Sequence, residues 1–374
     1  MDIKFPEQNN NLSDKTGNTI QQEILETKDT IIKIVGVGGG GTNAINRMQA
    51  ANISGVQLYA VNTDNGSLRQ SCADTKISIG TGLGVGGDPK KGEQYAQEAV
   101  DKFKDMLQGA NMVFVTTGMG GGTGTGAAPV IAKVSKELGI LTVGVVTKPF
   151  TVEGSERIEY ANKGIAKLRE YADALIVIPN DKILMVDGKT PYKKGFEMID
   201  DVLRRAIESI TDTITKIGEI NIDFADVDSV LRNSDNAIIA LGGGSTLEEA
   251  FNEAISNKFV EGEDIRNADK LLVNVSYSNV NEIKVEDTNI IFDYIKKNFK
   301  RYVSLKNGNI INNDLDTKLK VSIIASFKKQ EETKTDEVQN EKDLIDIMKG
   351  EESIDEEANP FARPAYENKT IKKI

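Results

Sequence analysis

The chain has 374 residues, a formal net charge of −11, a single cysteine and no histidine. A chain of this length is long enough for two domains with additional tails. The lack of histidine excludes catalytic triads and metal sites that need an imidazole, so proton transfer must run through carboxylates, lysine, hydroxyls or water. The acidic charge argues against nucleic acid as the main partner. Cys72 alone cannot form an intramolecular disulfide, which fits a reducing cytosol.

The polar first segment, 1–29, is predicted to be a disordered N-terminal arm because it has few apolar residues. It is unlike a signal peptide, and the chain has no apolar run of about 18 residues, the length that a membrane span needs. We therefore expect a soluble cytoplasmic protein without direct membrane insertion.

Short β-branched runs alternate with helical stretches in the next segment, 30–194. Near-continuous apolar strands separated by helices are typical of a parallel sheet covered on both faces, so the predicted fold class is α/β with a Rossmann-like first domain. The predicted strands are 31–35, 56–61, 76–79, 112–115, 141–147 and 174–178. The predicted helices are 43–49, 91–107, 130–138 and 155–171.

Apolar residues recur at three- and four-residue steps from Phe196 onward, which predicts a long central helix over 196–216, within the segment 195–218. At 1.5 Å per residue it spans roughly 30 Å and forms a rigid link into a second domain. That smaller α/β domain is predicted over 219–327, with strands at 237–241, 271–275 and 318–325 and helices at 246–257 and 290–299. The acidic, apolar-poor segment 328–374 is predicted to be a disordered linker and terminal peptide.

Two glycine-rich stretches follow apolar runs in the first domain. Residues 118–126 read Gly-Met-Gly-Gly-Gly-Thr-Gly-Thr-Gly, and residues 36–41 read Gly-Val-Gly-Gly-Gly-Gly. Successive N–H groups without a Cβ can converge on phosphate oxygens, and the N-terminus of a following helix adds the positive end of its dipole. Two such loops, each at the carboxyl end of a strand, predict a nucleotide held from two sides.

The first loop also permits another interpretation. The spacing Gly36-x-Gly38-x-x-Gly41, with Asp64 closing the next strand, satisfies the dinucleotide fingerprint of an NAD-dependent oxidoreductase. Two observations count against it: the run at 118–126 has no role in that fold, and no histidine is available for the usual acid–base step. The chain has no Gly-x-x-x-x-Gly-Lys-Ser/Thr string, so it is not a P-loop NTPase.

The string Gly-Gly-Gly-Thr-Gly-Thr-Gly at 120–126 resembles the signature of the tubulin/FtsZ superfamily. The strings at 34–47, 60–64, 141–150 and 221–227 resemble FtsZ, and the likeness continues with little interruption from about Ile31 to Gly244. The resemblance implies a GTPase that uses GTP with Mg²⁺ and potassium, polymerises head to tail, and forms the cytokinetic ring at the mid-cell division site of bacteria. It also implies membrane-tethering and regulatory division proteins as partners of the C-terminal tail.

Site residues are carried over from the family where this sequence matches its motifs. A carboxylate can accept from guanine N1–H and the 2-amino group, and a phenyl ring can stack on the base. A core position for Phe196 and a solvated helix position for Asp200 are the alternatives. The resemblance implies nucleotide contacts by Gly39, Gly40, Gly41, Thr42 and Asn43; phosphate contacts by Gly122, Thr123 and Gly124; sensing of the γ-phosphate by Asn62 and the loop 82–89; ribose contacts by Glu153 and Arg157; and guanine contacts by Asn180, Phe196 and Asp200. No residue is assigned to a metal.

The motif Asn221-x-Asp223-x-x-Asp226 follows the predicted long helix. From the residues alone, the two carboxylates are N-caps or first-turn acids of a short helix. The resemblance implies instead that this loop enters the GTP site of the next subunit, where Asn221, Asp223 and Asp226 are catalytic and orient the attacking water. Neither subunit then hydrolyses GTP alone, so head-to-tail assembly builds both the filament and the active site.

The second domain departs from the family pattern at Ile217, 241–245 and 276–279, and the stretch 285–316 is only loosely similar. The string at 363–369 only faintly resembles the family's terminal peptide, which docks on membrane tethers. The alternative is a divergent relative that binds GTP and co-assembles but turns over poorly.

Overall fold

The computed structural model describes residues 30–184, 191–216, 218–256, 261, 264–278, 284–299, 304–312, 315 and 317–328. The predicted N-terminal arm, Ile217 and the predicted C-terminal linker and peptide lie outside the described residues, apart from Lys328. No helix in the described part of the chain combines the length and the apolar character needed to cross a membrane.

A parallel sheet forms the first part of the fold. Its strands are β1 (Ile32–Val37), β2 (Val56–Asn62), β3 (Thr75–Ser78), β4 (Met112–Gly118), β5 (Leu141–Lys148) and β6 (Ala174–Pro179). Its helices are α1 (Gly38–Ala50), α2 (Asn65–Gln70), α3 (Pro89–Glu98), α4 (Val100–Leu107), α5 (Gly122–Glu137), α6 (Ser155–Tyr171) and α7 (Asp181–Leu184), with a 3₁₀ turn at Thr151–Glu153.

The strand order is β3-β2-β1-β4-β5-β6 and all neighbouring pairs are parallel. Alternate residues enter separate cores on the two faces, Ile34 and Phe114 on one and Val35 and Val115 on the other, because side chains alternate along a strand. The predicted Rossmann-like sheet is confirmed. In this order the chain reverses direction across the sheet between β1 and β4, the position where such folds bind ligands.

One helix predicted from the sequence is interrupted. Residues 91–107 form α3 and α4 rather than a single helix. At Ala99 the backbone takes φ −104° and ψ 11°, and its N–H bonds to Ala96 three residues back. The α-helical ladder is therefore broken at that residue, without the glycine or proline that usually marks a break.

The long central helix, α8 (Tyr192–Thr215), begins four residues before the predicted start at Phe196 and ends one residue before Lys216. Pro191 stands immediately before its first turn, a position that tolerates proline because the first helical N–H groups lack intrahelical acceptors. Over 24 residues the helix is about 36 Å long. A short helix, α9 (Phe224–Leu231), follows it.

The second sheet is smaller than the first and has both parallel and antiparallel pairs. It forms part of the smaller α/β domain that the sequence predicts. Its order is β7-β10-β8-β9, where β10 is antiparallel to both β7 and β8, and β8 is parallel to β9. Its elements are β7 (Ser234–Gly244), α10 (Leu247–Ser256), β8 (Lys270–Tyr277), α11 (Val285–Asn298), β9 (Ser304–Ile311) and β10 (Leu319–Lys328), with a 3₁₀ turn at Ile265–Asn267. Strand β9 was not predicted.

Helix α8 spans the first sheet from one end to the other. Near its start, Phe196 meets Phe150, which follows the carboxyl end of β5, with ring centroids 5.2 Å apart. At its end, Thr215 packs beside Gly55, just before the amino end of β2. The residue that follows α9, Arg232, pairs with Asp173 at 3.7 Å, just before the amino end of β6. The segment between α8 and α9 therefore lies at the amino ends of the strands.

Candidate functional site

Both glycine loops lie at the carboxyl ends of β1 and β4, which are neighbours in the sheet. Helix α1 begins directly after Val37 and α5 directly after Gly121, and neither cap residue gives a side-chain cap. The N–H groups in the first turn of a helix have no acceptor within the helix. The two helix starts therefore present N–H groups that have no intrahelical acceptor, together with the positive ends of two helix dipoles, at one point of the sheet edge.

Most glycines in these loops are required by internal packing. A Cβ at Gly40 would lie 2.9 Å from Gly118 N, and one at Gly38 would lie 3.0 Å from Gly124 N. At Gly124 a Cβ would be 2.0 Å from Thr117 Oγ1. The two loops thus pack backbone to backbone, which only residues without a side chain allow.

Gly39 and Gly121 are different. An added Cβ at either position meets no described atom within 4 Å, and neither residue has a positive φ. Among the glycines that the structure describes, the other six with open space, which include Gly109 and Gly154, all have positive φ. Neither packing nor backbone conformation therefore explains glycine at 39 and 121, one in each loop. A ligand lying against the bare backbone does explain it. Gly121 was not among the residues predicted from the sequence.

Threonine hydroxyls join the loops. Thr117 Oγ1 donates to Val37 O at 2.8 Å, and the hydroxyls of Thr63 and Thr123 lie 2.6 Å apart. Thr42 Oγ1 donates to Gly38 O at 2.8 Å, so its buried side chain faces inward and only its backbone remains for the predicted nucleotide contact. Asn43, by contrast, is exposed.

A third glycine-rich loop adjoins the other two, at the position predicted to sense a phosphate. Gly82, Gly84 and Gly86 all have positive φ. Gly84 N donates to Thr63 O at 2.8 Å, which fixes the loop beside the second glycine loop. Below it, Asn62 is 3% exposed, and its Oδ1 accepts from the backbone N–H of Asp64 at 3.2 Å.

Asp64 is a helix cap. Its carboxylate accepts from Gly66 N and from Ser67 Oγ, both at 2.8 Å, and these hydrogen bonds lower the pKa of the carboxyl. A dinucleotide fold needs this acid for a ribose hydroxyl. The oxidoreductase interpretation therefore loses the residue that it assigned to the ribose.

The predicted ribose and base contacts lie along the same edge, after β5 and β6. Glu153, in the 3₁₀ turn, accepts from Phe150 N at 2.9 Å. It also forms an ion pair with Arg157, four residues later on α6. Asn180 follows β6 and is 4% exposed. Nothing in the described part of the chain hydrogen-bonds to its side-chain oxygen, Oδ1. Buried polar atoms are usually paired, so this oxygen is an available acceptor for a ligand donor.

Asp200 lies one turn after Phe196 on α8, at the same edge. Burial raises the pKa of the Asp200 carboxyl to about 6, although Arg47, whose Nε lies 3.4 Å from Asp200 Oδ2, opposes that rise. An ionised carboxylate that is poorly solvated and weakly paired is a strong acceptor for a ligand with two N–H donors. Asn180, Phe196 and Asp200 thus lie at the same edge of the sheet as Glu153.

A cleft of about 1120 Å³ follows α8 toward the second sheet, and the glycine loops do not line it. Several of its charged side chains pair with one another, as Arg204 does with Glu208 at 2.6 Å and Lys216 with Asp212 at 2.8 Å. The backbone donors that an anionic ligand needs lie at the glycine loops, so we assign the candidate site there.

Of the predicted catalytic residues, Asn221 and Asp223 lie in the segment between α8 and α9, and Asp226 lies in the first turn of α9. Asp223 is the N-cap of α9 and accepts from Asp226 N at 2.9 Å, while Asp226 Oδ2 accepts from Asp223 N at 3.3 Å. This is a capping box. Asn221 Oδ1 accepts from Gly218 N at 2.7 Å. The cap interpretation therefore describes their local structure. A single chain does not bring them together with the glycine loops, since the two sets lie at opposite ends of the sheet.

Two residues of β9 that sequence reasoning missed hold this segment. Lys306 Nζ pairs with Asp226 Oδ1 at 2.7 Å, and Asn309 Oδ1 accepts from the N–H groups of Glu219 and Ile220 at 3.0 and 2.9 Å. The sequence of β9, Ser-Leu-Lys-Asn-Gly-Asn-Ile-Ile, has polar residues and glycine where strands favour β-branched ones. It carries no signal that would have indicated these contacts.

Comparison with known proteins agrees with this architecture. Residues 31–187 match the GTPase domain of the tubulin/FtsZ family, and residues 236–327 match the FtsZ family C-terminal domain. The fold and the glycine loops thus define a tubulin/FtsZ-type GTPase.

Solved structures narrow the class. An empty FtsZ dimer from M. jannaschii is 36% identical, with 81% of this chain and 89% of that chain covered and a TM-score of 0.75. A tryptophan-to-tyrosine variant of FtsZ from the same organism is 37% identical, with 80% and 91% covered and a TM-score of 0.73. A protofilament of CetZ2 from Haloferax volcanii, bound to GTPγS, shares the fold at 20% identity, with 86% and 100% covered and a TM-score of 0.67. The chain belongs to the FtsZ family.

Proposed function

We propose that this chain is a GTPase that polymerises with GTP and completes its active site between neighbouring subunits. The N–H groups at the starts of α1 and α5 bind the phosphates, with Gly39 and Gly121 giving the closest approach to the backbone. Glu153 and Arg157 bind the ribose, and Asn180, Phe196 and Asp200 bind guanine. The open space at the two unexplained glycines and the unpaired oxygen of Asn180 support this placement.

One observation supports the intersubunit site. The acidic loop (residues 221–226) and the glycine loops lie at opposite ends of a sheet that α8 spans over about 36 Å. No local rearrangement of one subunit joins them. Head-to-tail stacking of identical subunits joins them, because the end of one subunit that carries the acidic loop then meets the end of the next subunit that carries the glycine loops. The FtsZ dimer among the related structures supports self-association.

In this arrangement Asn221, Asp223 and Asp226 of one subunit orient the water that attacks the terminal phosphate bound by the next. Each carboxylate oxygen has two lone-pair sites, so Asp226 retains acceptor capacity after its internal hydrogen bonds. The glycine-loop N–H groups stabilise charge on the departing phosphates. Each subunit thus supplies half of the chemistry, and hydrolysis depends on assembly.

Mg²⁺ fits this site as a companion of the nucleotide. It retains several waters and prefers phosphate oxygens to a cage built only from protein ligands. Among the described residues, no three acidic or cysteine side chains cluster to hold a metal, and Asp64, at this edge, caps a helix with both oxygens. When bound, Mg²⁺ neutralises developing phosphate charge. A potassium requirement remains part of the proposal.

We propose the same division of labour for the segments as the sequence predicts: 30–194 for GTP binding, 195–218 as the central link and 219–327 for activation. Membership of the FtsZ family supports a cytoskeletal role in cell division and septation, in the cytoplasm at the mid-cell site. The segment 363–369 is the proposed docking peptide for membrane-tethering and regulatory division proteins, and it lies outside the described residues.

GTP turnover per subunit, measured against protein concentration with Mg²⁺ and potassium present, tests the proposal. We expect turnover near zero below a threshold concentration and constant per subunit well above it. A rate per subunit that is independent of concentration would contradict the shared site. GTP binding without turnover at any concentration would favour the divergent, slowly hydrolysing relative.

A further inference from the structure

Strand β9 is the edge of the second sheet, and the segment before α9 covers that edge. Asn309 N donates to Ile220 O at 3.0 Å, and its side-chain oxygen accepts two successive loop N–H groups. A Cβ at Gly218 would lie 1.6 Å from Asn309 O, so the loop backbone contacts the strand directly. One residue of β9, itself 9% exposed, therefore fixes the backbone that leads to Asp223.

Lys306, three residues before Asn309 on β9, pairs with Asp226 at the other end of the acidic loop. Its ammonium lies 2.7 Å from Asp226 Oδ1, and the remaining oxygen of that carboxylate accepts from Asp223 N. The pKa of Lys306 is raised by its hydrogen bond to Asp226 and by the charges of Asp226 and Asp223. The lysine therefore stays charged at neutral pH, and the carboxylate is held by two donors from different directions.

We propose that β9 is a positioning element for the acidic loop: Asn309 fixes the loop backbone, and the Lys306 ammonium fixes the direction in which the Asp226 carboxylate presents its free lone pairs. The inference rests on the proposed function, in which Asp226 orients the attacking water. Lys306 is a positioning residue because it acts through Asp226.

The electrostatics of the neighbouring site give this arrangement a reason. Assembly brings Asp223 and Asp226 toward a triphosphate, and like charges at short range repel strongly where water is excluded. A free carboxylate would rotate away from the phosphates toward solvent. The ion pair with Lys306 offsets part of that repulsion and holds Asp226 Oδ1, so the orientation needed for hydrolysis exists before assembly.

The test compares K306M, which removes the charge but keeps most of the side-chain length, with K306R, which keeps the ion pair. Lys306 lies on the exposed rim with 39% of its side chain accessible, so neither change disturbs a core. The matched control is K163M, which removes an exposed lysine paired with Glu159 at 2.6 Å on α6. GTP affinity, melting temperature, the threshold concentration and the turnover per assembled subunit are measured for each variant.

We expect K306M to lower turnover per assembled subunit by about tenfold, with GTP affinity and thermal stability unchanged, and K306R to recover most of it. K163M should match the unmodified chain. The inference is overturned if K306M changes only the threshold concentration, or if K306R is as impaired as K306M. D226N separates the two proposals: if it leaves turnover intact, the proposed function fails. If it abolishes turnover while K306M has no effect, only the positioning role fails.

Discussion

The two ends of the parallel sheet present different kinds of chemical group. At the carboxyl ends of β1 and β4 the site consists of backbone: glycine loops, uncapped helix starts and two glycines that the protein itself does not require. At the amino ends, the acidic segment consists of side chains that are already bonded, with Asp223 and Asp226 in a capping box and Lys306 on Asp226.

This difference shows that the two ends offer different groups to a ligand. The carboxyl end offers donors for an anion, and Asp64, an acid beside the glycine loops, is used as a helix cap. The amino end offers the carboxylates of Asp223 and Asp226, at the start of a helix that these two side chains cap. In the proposed function, the surface that binds phosphate and the surface that activates water thus belong to the same chain but not to the same place on it.

The largest effect is expected for D226A. Removing a carboxylate that orients the attacking water should lower turnover per assembled subunit by about 10²- to 10³-fold. GTP affinity should stay within about twofold, because the glycine loops lie at the other end of the sheet. Turnover and equilibrium binding, measured on one preparation, give both quantities. Loss of affinity in step with loss of turnover would show that the two ends are not separate in function.

The next largest effect is expected for G39A. A methyl group at this position meets no described protein atom and the backbone is not left-handed, so folding should be unaffected. The methyl would occupy space against which a phosphate lies, so we expect GTP affinity to fall by about 10- to 100-fold at unchanged melting temperature.

G109A is the matched control for G39A. Gly109 also has open space, but its φ is +79°. Alanine there should cost about 1 kcal/mol of unfolding free energy because of the left-handed backbone, while GTP affinity remains the same. If G39A behaved like G109A, the open space at Gly39 would have no connection with a ligand.

A smaller effect concerns pH. Guanosine, which carries no phosphate, should bind the ionised form of Asp200, whose pKa is about 6 in the unliganded protein. Protonation competes with binding, so the affinity should be near its maximum at pH 7.5 and about tenfold weaker at pH 5. D200N should bind guanosine more weakly and without this pH dependence.

The same pKa has the opposite consequence for stability. Because the folded value exceeds the ordinary value of 3.8, protonation of Asp200 stabilises the free protein as the pH falls through about 6, and that stability is lost as the pH rises again. Thermal unfolding of D200N should lack this contribution. A guanosine affinity that stays constant from pH 7.5 to 5 would place Asp200 outside the base site.

N309A is expected to affect stability and not GTP binding. It leaves the N–H groups of Glu219 and Ile220 without their side-chain acceptor, which should lower the unfolding free energy by about 1–3 kcal/mol. Chemical denaturation measures this loss, and GTP affinity should not change. A loss of affinity would mean that the two ends of the sheet are coupled through the fold.

The sequence predicts the parallel sheet well because its strands are apolar runs. It also predicts the helix at Ser155–Tyr171, which has a clear helical period. It also predicts the glycine loops, because a run of glycines has no side chains to pack and is too flexible to form an element by itself. Internal packing requires glycine at 122 and 124 but not at 121. The sequence cannot reveal this difference, because it depends on contacts with atoms that are distant in the chain. Strand β9 was missed since its pairing with β8 overrides its polar composition.

The most direct test of the shared site is a mixing experiment with D226A and G39A, at a GTP concentration that saturates D226A but not G39A. Each variant alone should have little turnover. Where the intact glycine loops of D226A meet the intact acidic loop of G39A, a complete site forms. In an equimolar mixture, random junctions should therefore restore about a quarter of normal turnover per subunit. A mixture no more active than the sum of its parts would contradict a site shared between subunits.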